Sequence, residues 1–265
     1  MRHDIQTDAA ESERPSALNY GVRSNVDDES THILAIGSKA AIVGSLLGMV
    51  GNLIHPATPL DDPQGVARAI AASDAWFVIH FGIMFGITLM FGGLIALYHS
   101  IRGGLPGALA RLGLFAASVG IAVGLILLVL DGVAAKQLAD EWASATAETR
   151  LGALQNVLTN EAMNFALASL FNFIFAGVTF ILFGLAVAFS DVYPRWLGWV
   201  VVAAGMVSVG ASLVQGAPGE PTSLSRILTI IGPTIITLWL LIIGVLMGRK
   251  ASQTNPQREV NQFPN

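Results

Sequence analysis

The sequence predicts an all-α fold: an integral membrane bundle of six transmembrane helices, N-terminus and C-terminus both inside, with short helices on the outer side. Three observations predict it. Hydrophobic residues make up 53% of the 265 and charged residues only 12%, which is a membrane composition. Six apolar stretches, 35–54, 76–98, 108–131, 162–189, 196–215 and 226–247, match the roughly 20 residues that a helix needs to cross a hydrocarbon core about 30 Å thick. None of them alternates in the two-residue pattern of an outer-membrane strand.

Each element follows in order. Residues 1–34 are polar, with Asp4, Glu11, Arg14, Asp27, Asp28 and Glu29, and read as a disordered cytoplasmic tail, not a cleavable signal peptide. The membrane domain, 35–248, then begins with a span carrying Gly44, Gly48 and Gly51 on one face, and Asn52 and His55 on a common face at its outer end. In the outer link 55–75, Asp62-Pro63 reads as an N-cap followed by proline at the first helical position, and Ser73-Asp74 as the cap of the second span. His80 lies one turn inside the outer end of that span, and His99 lies at its cytoplasmic end.

The third span presents a stripe of small residues, Gly113, Ala117, Gly120 and Gly124, that Asp131 continues after seven more residues. Such stripes let helices approach closely in lipid, so Asp131 is expected to point into the bundle. The link 132–161 has no proline and carries Leu151, Leu154, Val157 and Leu158 at helical spacing; it predicts an amphipathic helix lying over the outer ends of the bundle. On the fourth span Glu161, Asn164, Ala168, Asn172 and Thr179 share a face, as do Ser208, Ser212 and Gln215 on the fifth. In the sixth, Gly232-Pro233 leaves the carbonyl of Thr229 without its helical partner. Residues 249–265 read as a second disordered cytoplasmic tail.

Orientation follows from the basic residues. With the N-terminus inside, Arg2, Arg14, Arg23, Lys39, Arg102, Arg111, Arg195, Arg249, Lys250 and Arg258 fall on the cytoplasmic side of a cell membrane, and only Arg68, Lys136, Arg150 and Arg226 fall outside. The positive-inside rule therefore favours this topology. Acidic residues lie on both sides and there is no basic patch for nucleic acid. The absence of cysteine excludes disulfides, thiolate ligands and cysteine nucleophiles.

Polar groups in hydrocarbon cost several kcal/mol each when unpaired, so those at one depth are expected to meet or to line a wet cavity. Asn52, His55, His80, Asp131, Glu161, Asn164 and Asn172 are the candidates for such an outer-half cluster. His55, His80, Asp131 and Glu161 could bind a divalent metal through nitrogen and oxygen, although no HExxH-type spacing is present. The same histidines are the only outer-half pair for a haem; a site without any cofactor is the plainer expectation. There is no G-x-S-x-G, P-loop or GxGxxG. The sequence therefore reads as a membrane protein with an outward-facing polar cavity, acting as a non-catalytic component or regulator. The alternatives are an ion- or proton-coupled transporter of a small solute, or a membrane-embedded metal-dependent enzyme. Its expected partners are the lipid bilayer and a small solute, ion or lipid ligand.

Two segments carry a resemblance. Tyr193-Pro194-Arg195-Trp196-Leu197-Gly198-Trp199, ahead of a span rich in small residues, and Gly51-Asn52-Leu53-Ile54-His55-Pro56, at the end of the first span, resemble motifs of uncharacterised six-helix membrane proteins of bacteria and archaea. The resemblance implies a family without an assigned activity, and so no residue roles.

Overall fold

The structure, a computed structural model, describes residues 17–59, 62–217 and 222–254, with side chains between residues 29 and 253. Nine α-helices and two π-helical segments make up the described chain, and no strand occurs among the described residues. Six helical stretches are long and apolar enough to cross a membrane: Glu29–Ile54, Trp76–Ser100, Gly104–Ser144, Arg150–Ala188, Arg195–Gly216 and Ser223–Gln253. The protein is a multi-pass membrane protein.

The first span is the greater part of α1 (Ala17–Ile54). This helix extends back into the stretch expected to be a disordered tail, because nothing after Pro15 breaks helical propagation from the apolar span. Residues 1–16 and 255–265, the outer parts of the two expected tails, lie outside the described residues. A short helix, α2 (Pro63–Ala71), follows, with Pro63 opening it and Asp62 accepting from the Gly65 amide as its N-cap. The second span, α3 (Trp76–Ser100), has no side-chain cap. The expected Ser73-Asp74 cap is replaced by a backbone turn, in which the Trp76 amide donates to the Ser73 carbonyl.

The third span begins as α4 (Gly104–Val129), passes through a π turn at Leu130–Ala134 and continues as α5 (Ala135–Ser144). After a turn of five residues the fourth span starts at once as α6 (Arg150–Phe171), widens into a π segment at Asn172–Thr179 and ends as α7 (Phe180–Ala188). The expected helix lying over the bundle is therefore not there. Leu151, Leu154, Val157 and Leu158 are helical, but they form the first turns of the fourth span, which stands up from the bundle beside α5. Only Val157 is fully buried, with Leu154 half-buried beside it, packed against Ala67 and Trp142. α2 fills the place of the lid, held against α5 and α6.

The fifth and sixth spans are α8 (Arg195–Gly216) and α9 (Ser223–Thr254). Each span packs on its sequence neighbours, and α9 closes the ring by packing on α1. Small residues make these seams. A β-carbon at Gly44 of α1 would lie 2.6 Å from the Gly86 carbonyl oxygen of α3, and one at Gly120 of α4 would lie 2.7 Å from the β-carbon of Phe175. At the end of the ring away from the links 55–75 and 132–161, large side chains fill the interior. Leu94, Leu97, Phe180, Phe183, Trp239 and Ile243 are all at most 2% exposed, and Phe180 meets Trp239 edge-on with ring centres 5.9 Å apart.

Candidate metal centre

The opposite end of the ring brings two histidines and a carboxylate to one point. The ligand-type atoms of His55, His80 and Asp131 lie within 4.8 Å of one another. His55 follows the last residue of α1, His80 sits one turn into α3 and Asp131 lies in the π turn. Nε2 of His55 is 3.3 Å from Nε2 of His80, which in turn is 3.1 Å from Oδ2 of Asp131.

Backbone carbonyls settle the tautomers. Nδ1 of His55 lies 2.9 Å from the Pro56 carbonyl oxygen, and Nδ1 of His80 lies 2.7 Å from that of Trp76. A carbonyl can only accept, so each Nδ1 carries the hydrogen and donates it. In the neutral rings both Nε2 atoms therefore turn lone pairs toward each other and toward a carboxylate oxygen. Three electron-rich atoms at such distances repel unless a shared metal ion, or a second proton on His80 donated from Nε2 to Asp131, lies between them. Burial, reinforced by the neighbouring His80 ring, lowers the pKa of His55 from its ordinary value, which favours the neutral form that binds metal.

The surroundings hold this arrangement rigidly. The Trp76 ring lies 4.7 Å from that of His80 and 5.0 Å from that of His55, centre to centre. Its indole N–H donates to the Asp131 carbonyl at 2.7 Å. Asn160 donates to the Leu130 carbonyl at 3.3 Å, and Asn164 to Oδ1 of Asp131 at 3.4 Å. A π turn spaces its carbonyls unlike an α-helix, and here side-chain donors from α3 and α6 take two of them up. Gly132 permits the close approach: a β-carbon there would lie 2.5 Å from that of His80.

The two distances from His80 suit a tetrahedral ion. Ligands at 2.0–2.1 Å from zinc stand about 3.3–3.4 Å apart at a tetrahedral angle, close to the 3.3 and 3.1 Å observed. Histidines that ligate metals usually donate their other N–H to a carbonyl or carboxylate, as both do here. Two ring nitrogens only 3.3 Å apart leave no slot for a porphyrin between them, so the pair does not suit a haem.

His55 and Asp131 also face a cavity of about 450 Å³, lined further by Glu161, Asn164, Gln215, Arg226 and Thr229 and by apolar Leu127, Leu158, Phe165, Ala168 and Ile230. His80 is buried behind them. Glu161 interacts with the Asn164 side chain and so touches the group that holds Asp131. Among the described residues, Oδ1 of Asn164 and Oγ1 of Thr229 are buried without a hydrogen-bond partner.

Five of the seven residues expected to cluster do so: His55, His80, Asp131, Glu161 and Asn164. The other two do not join them. Asn52 spends its amide on the Gly48 carbonyl of its own helix. Asn172 is buried at the start of the second π segment and does not line the cavity. Trp76 and Asn160 were not expected. Both carry a helical signal, since Trp76 stands four residues before His80 and Asn160 four before Asn164, one turn along the same face.

Residues 38–244 match a family model described as a domain of unknown function, DUF4386, and the chain belongs to that family. No curated protein matches the chain, and no solved structure matches it.

Proposed function

We propose that this DUF4386 protein is a membrane-embedded, divalent-metal-dependent enzyme of hydrolytic type, with zinc the best-suited ion. One observation carries the reading: two histidine nitrogens and a carboxylate oxygen lie within 4.8 Å of one another, with His80 Nε2 at the edge length of a tetrahedron from each of the other two. Among the three sequence readings this favours the metal-dependent enzyme over the non-catalytic component. Structural zinc sites are closed by four protein ligands, whereas catalytic ones keep three and an open position. Here two of the three ligands, His55 and Asp131, border a cavity that also holds Glu161.

His55, His80 and Asp131 would hold the metal, which would supply a water ionised near neutral pH as the nucleophile for hydrolysis of an acyl bond. Glu161 would take that water's proton and pass it to the oxygen or nitrogen leaving group as its bond to the acyl carbon breaks. Asn164 orients Asp131, and Trp76 and Asn160 hold the π turn. The excess of basic residues at the other end of the bundle supports a cytoplasmic location for both termini and an exterior-facing site in the cell membrane.

Metal analysis of detergent-purified protein tests the reading. Close to one equivalent of a zinc-class ion per chain is expected after dialysis against the metal. His80→Ala and Asp131→Asn should lose it, and His99→Ala should keep it. Equal metal content in wild type and a folded His55→Ala/His80→Ala double variant would overturn the proposal.

A further inference from the structure

We infer that the cavity beside the metal ligands binds an amphiphile: a molecule with an acyl chain and a singly anionic polar head. The inference rests on the reading of the site as open, and adds the class of molecule that occupies it.

The lining is of two kinds. Leu127, Leu158, Phe165, Ala168 and Ile230, from α4, α6 and α9, are apolar, while Glu161, Asn164, Arg226 and Thr229 are polar. A small hydrophilic solute would have no use for the first set. Two polar atoms in this lining, Oδ1 of Asn164 and Oγ1 of Thr229, are buried and unpaired among the described residues. Leaving such groups unsatisfied is costly, and both are on hand to bond the head of a ligand, Oδ1 of Asn164 by accepting from a head-group hydroxyl. Pro233 adds to this, because the Thr229 carbonyl has no amide to receive four residues on.

Charge selects the head. Among the described residues of the lining the only lysine or arginine is Arg226, whose guanidinium donates to the Thr58 carbonyl at 2.9 Å and is thereby held at the rim. With a divalent ion bound, Asp131 and Glu161 neutralise the metal and Arg226 is left over, so a single negative charge balances the cavity. Arginine at the membrane surface is suited to bind phosphate or carboxylate.

Size and access agree. At about 30 Å³ per water-sized group, 450 Å³ takes about fifteen such groups, enough for a head and the first part of one chain. The rest of the chain must leave the protein. α6 and α9 supply facing walls but have at most marginal contact with each other. Leu158 and Ile230, on those two helices, are 39% and 61% exposed. A chain can therefore pass between them into the bilayer.

Spin-labelled lysophosphatidylglycerol, whose phosphodiester carries one negative charge, added to the full-length zinc-loaded protein in detergent, tests the inference by electron paramagnetic resonance. A motionally restricted component is expected, displaced by unlabelled lysophosphatidylglycerol but not by inorganic phosphate, which lacks the chain. Arg226→Gln should weaken binding about tenfold, the order expected for one charge-assisted hydrogen bond, and Arg102→Gln at the other end should not. Ala168→Leu, filling the apolar wall, should weaken it independently of charge. Displacement by phosphate alone would mean an anion site without a chain, and would overturn the inference. So would equal binding in wild type, Arg226→Gln and Ala168→Leu. The outcome separates from that of the metal analysis: protein that takes up zinc but no labelled lipid refutes the amphiphile alone, and protein that binds the lipid but no metal refutes the enzyme reading alone.

Discussion

Gly132 shows how a single hydrogen atom in place of a side chain sets the centre. Its α-carbon faces the β-carbon of His80 so closely that a methyl group would fall 2.5 Å from it, and no side-chain rotation of His80 can move that atom away. Gly132→Ala should thus push the π turn off α3, at a cost of about 1–3 kcal/mol, and metal affinity should drop with it. Gly152→Ala, where a β-carbon meets nothing within 4 Å, should instead be neutral or stabilising by up to about 1 kcal/mol. Thermal midpoints and zinc content of the two variants check this, and equal behaviour would refute it. Residues of the centre were legible where periodicity reached them. Asp131 was placed by the spacing of Gly124 and Ala117, and His80 by its depth. Asn52 was misplaced because depth and face do not reveal that an amide will turn back on its own helix to Gly48.

At the scale of elements, the π turn at Leu130–Ala134 joins two helical faces with different obligations. Before it, α4 presents glycine to α6, α7 and the π segment between them; after it, α5 presents Ala135, Ala139 and Trp142 to α2 and α6. Deleting Val133 should restore α-helical spacing and rotate α5 by about 100° relative to α4, carrying those three residues off α2. Loss of bound zinc and a lower melting temperature are expected, whereas deleting Ala147 from the turn before α6 should be milder. Matching zinc content in the two deletions would show that the π turn has no such role. Nothing in the residue pattern announced this turn. Apolar periodicity over 150–158 correctly indicated a helix, but periodicity cannot say whether that helix lies across the bundle or continues into the next span. The lack of any proline or break between Arg150 and Ala188 was the signal for continuity.

For the whole molecule, reporters fused after Asn265 and near Arg102 should register the cytoplasm, and a reporter near Ala147 the exterior, if the basic residues orient the bundle as proposed. The reverse pattern would turn the cavity inward. Span number and approximate limits were legible because a bilayer sets the length of an apolar helix. The closure of α9 on α1 was not, since lipid-facing and helix-facing residues are equally apolar and only glycine marks the seams. One consequence follows from the way the ring is filled. Beyond the cavity, Phe180 and Trp239 stand edge to face among Leu94, Leu97, Phe183 and Ile243, with no room for a solute to pass. The bundle is a cul-de-sac towards its far end: a molecule that comes in at the His55 end or sideways between α6 and α9 must go out by those same routes, so reactant and product would queue for shared doorways and each would inhibit the other's passage.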